Sequence, residues 1–323
     1  MTAYVLRRIL WGALLVLTAS ALVFVIFYIF PSGDSAVIRA GRFATPSQVE
    51  EVRHALGLDQ PVYVQFGIYL RDLLLHFDLG HSYQYGVPVT DLISDRLPAT
   101  LLLISGAVVI WLGLGVVLGV ATAARPSSRF DRATGIASLA LLSAPVFWLG
   151  YVALILFAAG AGSLLPIFPG IGAYIDADGF LEKMAALILP WLVLGLSSAA
   201  VYTRFTRSAM VEQLGSAYVT AARARGLPER SVLWGHAARS GLAPMLTLVG
   251  IDVSLILAGN VILVETVFNV PGLGGLLTSS VERSDLPVVQ GVVIVSAIFI
   301  VVVNIAVDLI YAAIDPRVKL REP

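Results

Sequence analysis

Six long apolar stretches, at residues 9–30, 100–121, 133–159, 185–202, 242–264 and 288–313, dominate the sequence. A helix that crosses a bilayer needs about 20 consecutive, mostly apolar residues. The fold class expected is therefore all-α integral membrane, with six transmembrane helices. Composition agrees: 58% of residues are hydrophobic and 13% are charged, against about 25% charged in soluble chains. Pro145 in the third stretch and Pro190 in the fourth are expected to kink their helices, because proline removes a backbone hydrogen bond and clashes with the preceding turn.

An even number of spans places both termini on one side. If that side is the cytoplasm, the inner segments hold Arg7, Arg8, Arg125, Arg129, Arg132, Arg204, Arg207, Arg223, Arg225, Arg230, Arg239, Arg317, Lys319 and Arg321. The outer segments then hold Arg39, Arg42, Arg53, Arg71, Arg96, Lys183 and Arg283, half as many over more chain. Basic residues near span ends favour the cytoplasm, so the topology expected is N-in, C-in. The first apolar run exceeds a signal-peptide core and reads as an uncleaved anchor. Four regions follow: 1–30, the N-terminus and first span; 31–98, an extracytoplasmic cap; 99–313, the remaining spans with a cytoplasmic loop at 204–241; and a cytoplasmic tail at 314–323. In the cap, residues 47–56 carry helix-start signals.

Several functions are disfavoured on composition. The absence of cysteine removes disulfides, thiolate metal sites and cysteine nucleophiles. A formal net charge of zero gives no bulk electrostatic case for a nucleic-acid partner. A P-loop requires lysine after glycine, and neither Lys183 nor Lys319 follows one. His54, His76, His81 and His236 do not cluster in sequence, so no metal site is expected. No His-Glu-x-x-His is present.

The loop at 204–241 carries the most specific signal. Its centre reads Thr220-Ala221-Ala222-Arg223-Ala224-Arg225-Gly226-Leu227-Pro228. The alanines favour helix, Gly226 permits a left-handed stop, and Pro228 suits the first turn of a following helix. Small residues on one face with arginines at the edge suit docking to a cytoplasmic partner. A helix lying on the membrane surface, with its arginines on lipid phosphates, fits the same residues.

In this segment the chain resembles the permease subunits of binding-protein-dependent ABC importers, whose cytoplasmic loop reads Glu-Ala-Ala-x-x-x-Gly. The resemblance is greater to the dipeptide/oligopeptide branch, through Tyr218, Val219, Ala222, Arg223, Ala224, Arg225, Gly226 and Leu227 in register. It extends along nearly the whole chain, through Leu56-Gly-Leu-Asp-Gln-Pro61, Asp78-Leu-Gly-His-Ser82, Arg96-Leu-Pro-Ala-Thr-Leu101, Ser143-Ala-Pro-Val-Phe147, Arg204-Phe-Thr-Arg-Ser208, Glu265-Thr-Val-Phe-Asn-Val-Pro-Gly-Leu-Gly274, Pro287-Val-Val-Gln-Gly291 and Asp315-Pro-Arg317. The loop departs from the pattern in having Thr220 at the glutamate position, Ala221 at the branch's threonine and Ala217 before Tyr218.

The resemblance implies a type I ABC importer permease fold and a pore shared with a second homologous permease. It also implies two cytoplasmic subunits that bind ATP and Mg, and an extracytoplasmic substrate-binding protein that delivers a di- or oligopeptide. This chain would then be no enzyme by itself and would carry no cofactor. Residues 220–228 would couple ATPase motion to the spans. Related permeases for nickel chelates and glutathione keep other solutes open. An ion-coupled secondary transporter is the alternative from another class.

Polar residues inside spans are costly and point to function. Asp252 either lines the pathway or is a packed, satisfied group. Asn260, Glu265 and Asn269 are candidates for the pathway or its outer gate. Asn304 and Asp308, four residues apart on one helix face, are expected to hold helices together.

Overall fold

A computed structural model describes residues 2–26, 36–37, 44–55, 57, 59–160 and 162–314. Expectations for residues 27–30, for most of 31–43, and for the tail including Asp315-Pro-Arg317 lie outside them. In chain order the helices of more than four residues among the described residues are α1 (Thr2–Phe24), α2 (Pro46–Ala55), α3 (Val62–His76), α4 (Val89–Ala124), α5 (Arg129–Ser143), α6 (Val146–Phe157), α7 (Phe180–Leu214) and α8 (Ala217–Ala224). Then come α9 (residues 229–241), α10 (residues 243–268), α11 (Leu273–Glu282) and α12 (Leu286–Ile314). No strand occurs among the described residues, only two isolated bridges, His81 with Pro88 and Ala158 with Phe168.

Among the described residues, four helices are long and apolar enough to cross a membrane: α1, α4, α7 and α12. The count rises to six if the bent pairs α5–α6 and Val261–Phe268 with α11 each form one span. The third apolar stretch, expected as one kinked span, turns through 110° between α5 and α6. Its cause is local. Ala144 (φ −94, ψ 131) and Pro145 (φ −61, ψ 140) are both extended, the conformation that a residue before proline prefers. Pro190, in contrast, lies buried within an uninterrupted α7.

The fifth stretch falls on α10. A π turn at Ile256–Asn260 joins two α-helical segments, and helical dihedrals persist at both joints (Ile256 φ −63, ψ −46; Val261 φ −61, ψ −44). At 1.5 Å per residue α10 is about 39 Å long, enough to cross the hydrocarbon. The second and fourth stretches lengthen into α4 and α7, of 36 and 35 residues. As a result, residues 204–214, read as the start of a loop, continue α7.

The chain forms two compact units, residues 1–98 with 276–302 and residues 99–275 with 303–323. In the first unit, Gly12 meets Val301 and Gly291 meets Val89 and Ile93, each closely enough to leave no room for a Cβ. Asp285, fully buried, accepts hydrogen bonds from the Ser82 hydroxyl and from Tyr83 N (2.9 Å) and Gln84 N (3.3 Å). Two separate sequence motifs, 78–82 and 287–291, are thereby drawn together: Gly80 faces Pro287, and Gly291 faces Leu79. The second unit is organised around α4 and α7. A Cβ on Gly119 would stand 2.3 Å from Thr206 Cβ, and one on Gly115 would stand 2.5 Å from Tyr202 Cβ. Small residues four apart let the two backbones approach, the usual means of helix association in lipid.

Candidate functional site

The segment singled out in the sequence folds as a short helix on a built platform. Its inward face, Val219 and Ala222, is buried in a cluster with Val120 and Ala123 of α4, Met210 of α7, and Val232, Ala237 and Ala238 of α9. Ala222 is 5% exposed and so belongs to the chain's own core. The outward face comprises Thr220, Ala221, Arg223, Ala224, Arg225, Gly226, Leu227 and Pro228, all exposed. A bulky residue at 222 therefore acts on internal packing, whereas one at 221 acts on what the surface meets.

The stop after α8 is a complete Schellman motif. Gly226 takes φ +78, Gly226 N donates to Arg223 O at 2.9 Å, and Leu227 N donates to Ala222 O at 3.4 Å. Both bonds satisfy carbonyls that a helix end leaves open. Pro228 caps the next helix rather than occupying its first turn. α9 then contains a π turn, Val232–Ala237. Arg223 reaches across the stop to Glu229, with Nη2 to Oε1 at 2.7 Å and Nε to Oε2 at 3.2 Å. The guanidinium holds the Glu229 carboxyl below its usual range and Arg223 above its own. The carboxylate missing at position 220 thus reappears nine residues later, as a partner for the loop's own arginine.

Just above this platform, Arg207 of α7 grips Asp131 of α5 with two hydrogen bonds, Nε to Oδ1 at 2.6 Å and Nη2 to Oδ2 at 2.8 Å. Asp131 also accepts from Ser127 N (2.9 Å), while its own N donates to Ser128 Oγ (3.1 Å). Helix cap and inter-helix tie therefore share one carboxylate. Replacing Arg207 with alanine is expected to lower the thermal midpoint modestly, because the pair is partly exposed and screened by solvent. The Asp131→Ala, Arg207→Ala double variant should lose less than the sum of the single losses. Thermal unfolding in detergent of the three variants checks both, and strict additivity would show that the pair carries no coupling.

At the other end of α10, Glu265 is 1% exposed. Its Oε1 accepts from Thr100 Oγ1 (2.6 Å), and its Oε2 accepts from Gly274 N (2.7 Å) and Gly275 N (3.1 Å). Thr100 Oγ1 in turn accepts from Leu273 N at 2.8 Å. Open N–H groups at a helix start attract negative charge, and Glu265 supplies it to the first turn of α11. Gly272 is required because a Cβ there would lie 2.0 Å from Oε1. Glu265, expected in the pathway or at its outer gate, is buried and fastens the turn between α10 and α11. Asn269, exposed, ends α10 in a left-handed conformation (φ 53, ψ 47), which asparagine tolerates better than most residues. Asn260 closes the π turn and is half-buried.

Asp252 is half-buried and accepts the Tyr202 hydroxyl at 2.6 Å. Asn304 Nδ2 donates to Ser254 Oγ at 3.0 Å, joining α12 to α10. That contact lies beside Gly250, where a Cβ would stand 2.9 Å from Asn304 Oδ1. Asp308 follows one turn later on α12, also half-buried. The six residues expected in the pathway or as span anchors thus lie at different levels of α10 and α12 and do not form one cluster. Sequence reading missed Asp131, Asp285 and Thr100. For Asp131 a signal was present: Ser128-x-x-Asp131 has the spacing of a helix-start capping box.

The profile of the family described as the inner membrane component of binding-protein-dependent transport systems matches residues 115–320, and that of the N-terminal part of such membrane components matches residues 1–104. A Brucella abortus protein provisionally named as a peptide transport system permease is 40% identical over 321 residues, which covers 99% of both chains. An Escherichia coli K12 protein provisionally named as the D,D-dipeptide transport system permease is 37% identical over 336 residues, covering 97% of both. The dipeptide transport system permease protein DppB of the same organism is 34% identical over 340 residues, covering 99% of both.

Proposed function

Because the chain belongs to the family of inner membrane components of binding-protein-dependent transport systems, we propose that it is one of two permease chains forming the pore of an ATP-driven peptide importer. The peptide assignment rests on the names of relatives that match from end to end. On this reading a second, homologous permease completes the pore in the inner membrane. An extracytoplasmic binding protein delivers the peptide. Two cytoplasmic subunits bind ATP and Mg²⁺ and carry out hydrolysis, so this chain is not catalytic. Six spans, N-in and C-in, complete the proposed topology.

The observation that carries the coupling role is the seating of α8. Its inward face is locked to the inner ends of α4 and α7, so a displacement of α8 moves those spans. Its outward face is made of small side chains at Thr220, Ala221 and Ala224, with Arg225 and Leu227 at the edge, a surface on which a partner can close. Rigid-body transmission of this kind lets ATP binding on one chain bias a two-state equilibrium in another.

Purification of the tagged chain in mild detergent tests the assembly. A second permease and ATPase subunits are expected to co-purify, with hydrolysis stimulated by liganded binding protein. Ala221→Trp is expected to leave the thermal midpoint of the isolated chain unchanged, because residue 221 faces outward. It should lower binding-protein-stimulated hydrolysis about tenfold, the loss produced by roughly 1.4 kcal/mol at an interface. Full stimulation in the Ala221→Trp complex would remove α8 from the docking role.

A further inference from the structure

Asp252 stands in α10, which the proposed topology places across the membrane, where a carboxylate is costly unless it is paired or faces water. Its Oδ2 accepts from the Tyr202 hydroxyl. Among the described residues, Oδ1 has no hydrogen-bond donor, and no basic side chain forms an ion pair with Asp252. Tyr202 is 2% exposed and rests against fully buried Trp111, ring centroids 5.4 Å apart. The phenol is therefore fixed, and it fixes the carboxylate.

The direction of Asp252 follows from its neighbours. Gly250 and Ser254 face α12, through the close approach of Asn304 to Gly250 and its hydrogen bond to Ser254. A two-residue step rotates a helix position by about 200°, so Asp252 is turned away from that contact. Tyr202 lies on one side of it, Asp252 itself is half-buried, and its neighbours Ile251 and Leu255 are 51% and 63% exposed. One phenol hydroxyl replaces a fraction of the hydration of an ionised carboxylate and supplies no positive charge. A carboxylate oxygen without a protein donor is costly against lipid and suits a water-lined passage.

We propose that Asp252 is a cation-binding group of the translocation pathway that receives the protonated amino terminus of a peptide in transit. This rests on the peptide-importer reading. A peptide with a free amino terminus carries an α-ammonium with a pKa of about 7.7–8.0, mostly charged at neutral pH. That group has the three donors and the full charge that Asp252 lacks, and a charge-assisted hydrogen bond to Oδ1 is the stronger kind.

Two substitutions separate this role from simple helix anchoring. Asp252→Asn keeps an oxygen for the Tyr202 hydroxyl and removes the charge. Tyr202→Phe keeps the charge and removes the hydrogen bond. Both are measured in the whole complex, this chain with its partner permease, ATPases and binding protein, reconstituted in vesicles with a free-amino dipeptide. Asp252→Asn is expected to lower peptide uptake per ATP hydrolysed about tenfold, with hydrolysis still stimulated by the binding protein. Tyr202→Phe should change it less than about threefold. Unaltered uptake per ATP in Asp252→Asn overturns the proposal. So does a larger loss in Tyr202→Phe than in Asp252→Asn, which would make the pair an anchor. Loss of the second permease from the Asp252→Asn complex on purification also overturns it, since the cation would then be a basic residue of that chain. A wild-type complex that hydrolyses ATP yet moves no peptide rejects the importer reading itself, a result distinct from all three.

Discussion

Glu265→Ala is expected to destabilise the protein by about 3 kcal/mol, the cost of leaving several hydrogen-bond donors unmet at a buried site. The carboxylate accepts from Thr100 Oγ1, Gly274 N and Gly275 N inside the protein. Alanine leaves all three donors without that acceptor, and each unmet buried donor costs about 1–3 kcal/mol before relaxation. Water entering the space would recover part of this. Glu265→Gln keeps one oxygen but presents an amide NH₂ where an acceptor is required, so about 1–2 kcal/mol is expected for a single mismatched site. Gly272→Ala attacks the same arrangement from the other side, since its Cβ would overlap the carboxylate. Thermal unfolding in detergent ranks the three, with Glu265→Ala lowest. A midpoint for Glu265→Ala equal to that of the unaltered protein would mean that the turn at 270–275 is held by something else.

Glu265 also shows where sequence reading stopped. A carboxylate at the outer end of an apolar stretch looks like a gate residue, because its position along the span is legible and its surroundings are not. Its hydroxyl partner, Thr100, lies 165 positions earlier, and its backbone donors come from a glycine-rich turn that local pattern identifies only as a turn. Ala222 repeats the lesson. The helix, the stop at Gly226 and the restart near Pro228 were all legible, since alanine, glycine and proline act on their own backbone. The inward direction of Ala222 was not, because it is set by Val120, Met210 and Ala237 from elsewhere in the chain.

The spans divide in the same way. Stretch length predicts α1, α4, α7 and α12, and α4 and α7, at 36 and 35 residues, are longer than the roughly 20 residues a crossing needs. Hydropathy records that residues 133–159 are apolar but not their path, and the 110° turn at Ala144-Pro145 exceeds the kink that one proline inside a helix implies. Pro190 shows the opposite outcome inside α7. What differs is Ala144, which is extended beside Pro145, whereas the residues around Pro190 remain helical.

Gly226→Pro is expected to leave the chain inserted and to reduce peptide uptake by the assembled complex more than about tenfold. Proline fixes φ near −65°, and residue 226 requires +78. Proline also has no N–H for Arg223 O, a bond of 2.9 Å in the stop. The chain after α8 must then leave in another direction, carrying with it Leu227, Glu229 and the ion pair to Arg223. The inward face of α8 need not move, since Val219 and Ala222 are held by α4, α7 and α9. The damage is therefore confined to the outward surface and to the link between α8 and α9. Gly226→Asn serves as the matched control, because asparagine accepts the left-handed conformation and keeps its N–H. It should retain uptake within about threefold, and Gly226→Ala should fall between, with a left-handed penalty of about 1–2 kcal/mol. Uptake, hydrolysis and the thermal midpoint are read together in the three variants. Loss of uptake with a preserved midpoint, in the order Pro, Ala, Asn, assigns the defect to the shape of the stop. Equal uptake in all three would mean that the geometry after α8 plays no part in coupling, and α8 would act through its inward contacts alone.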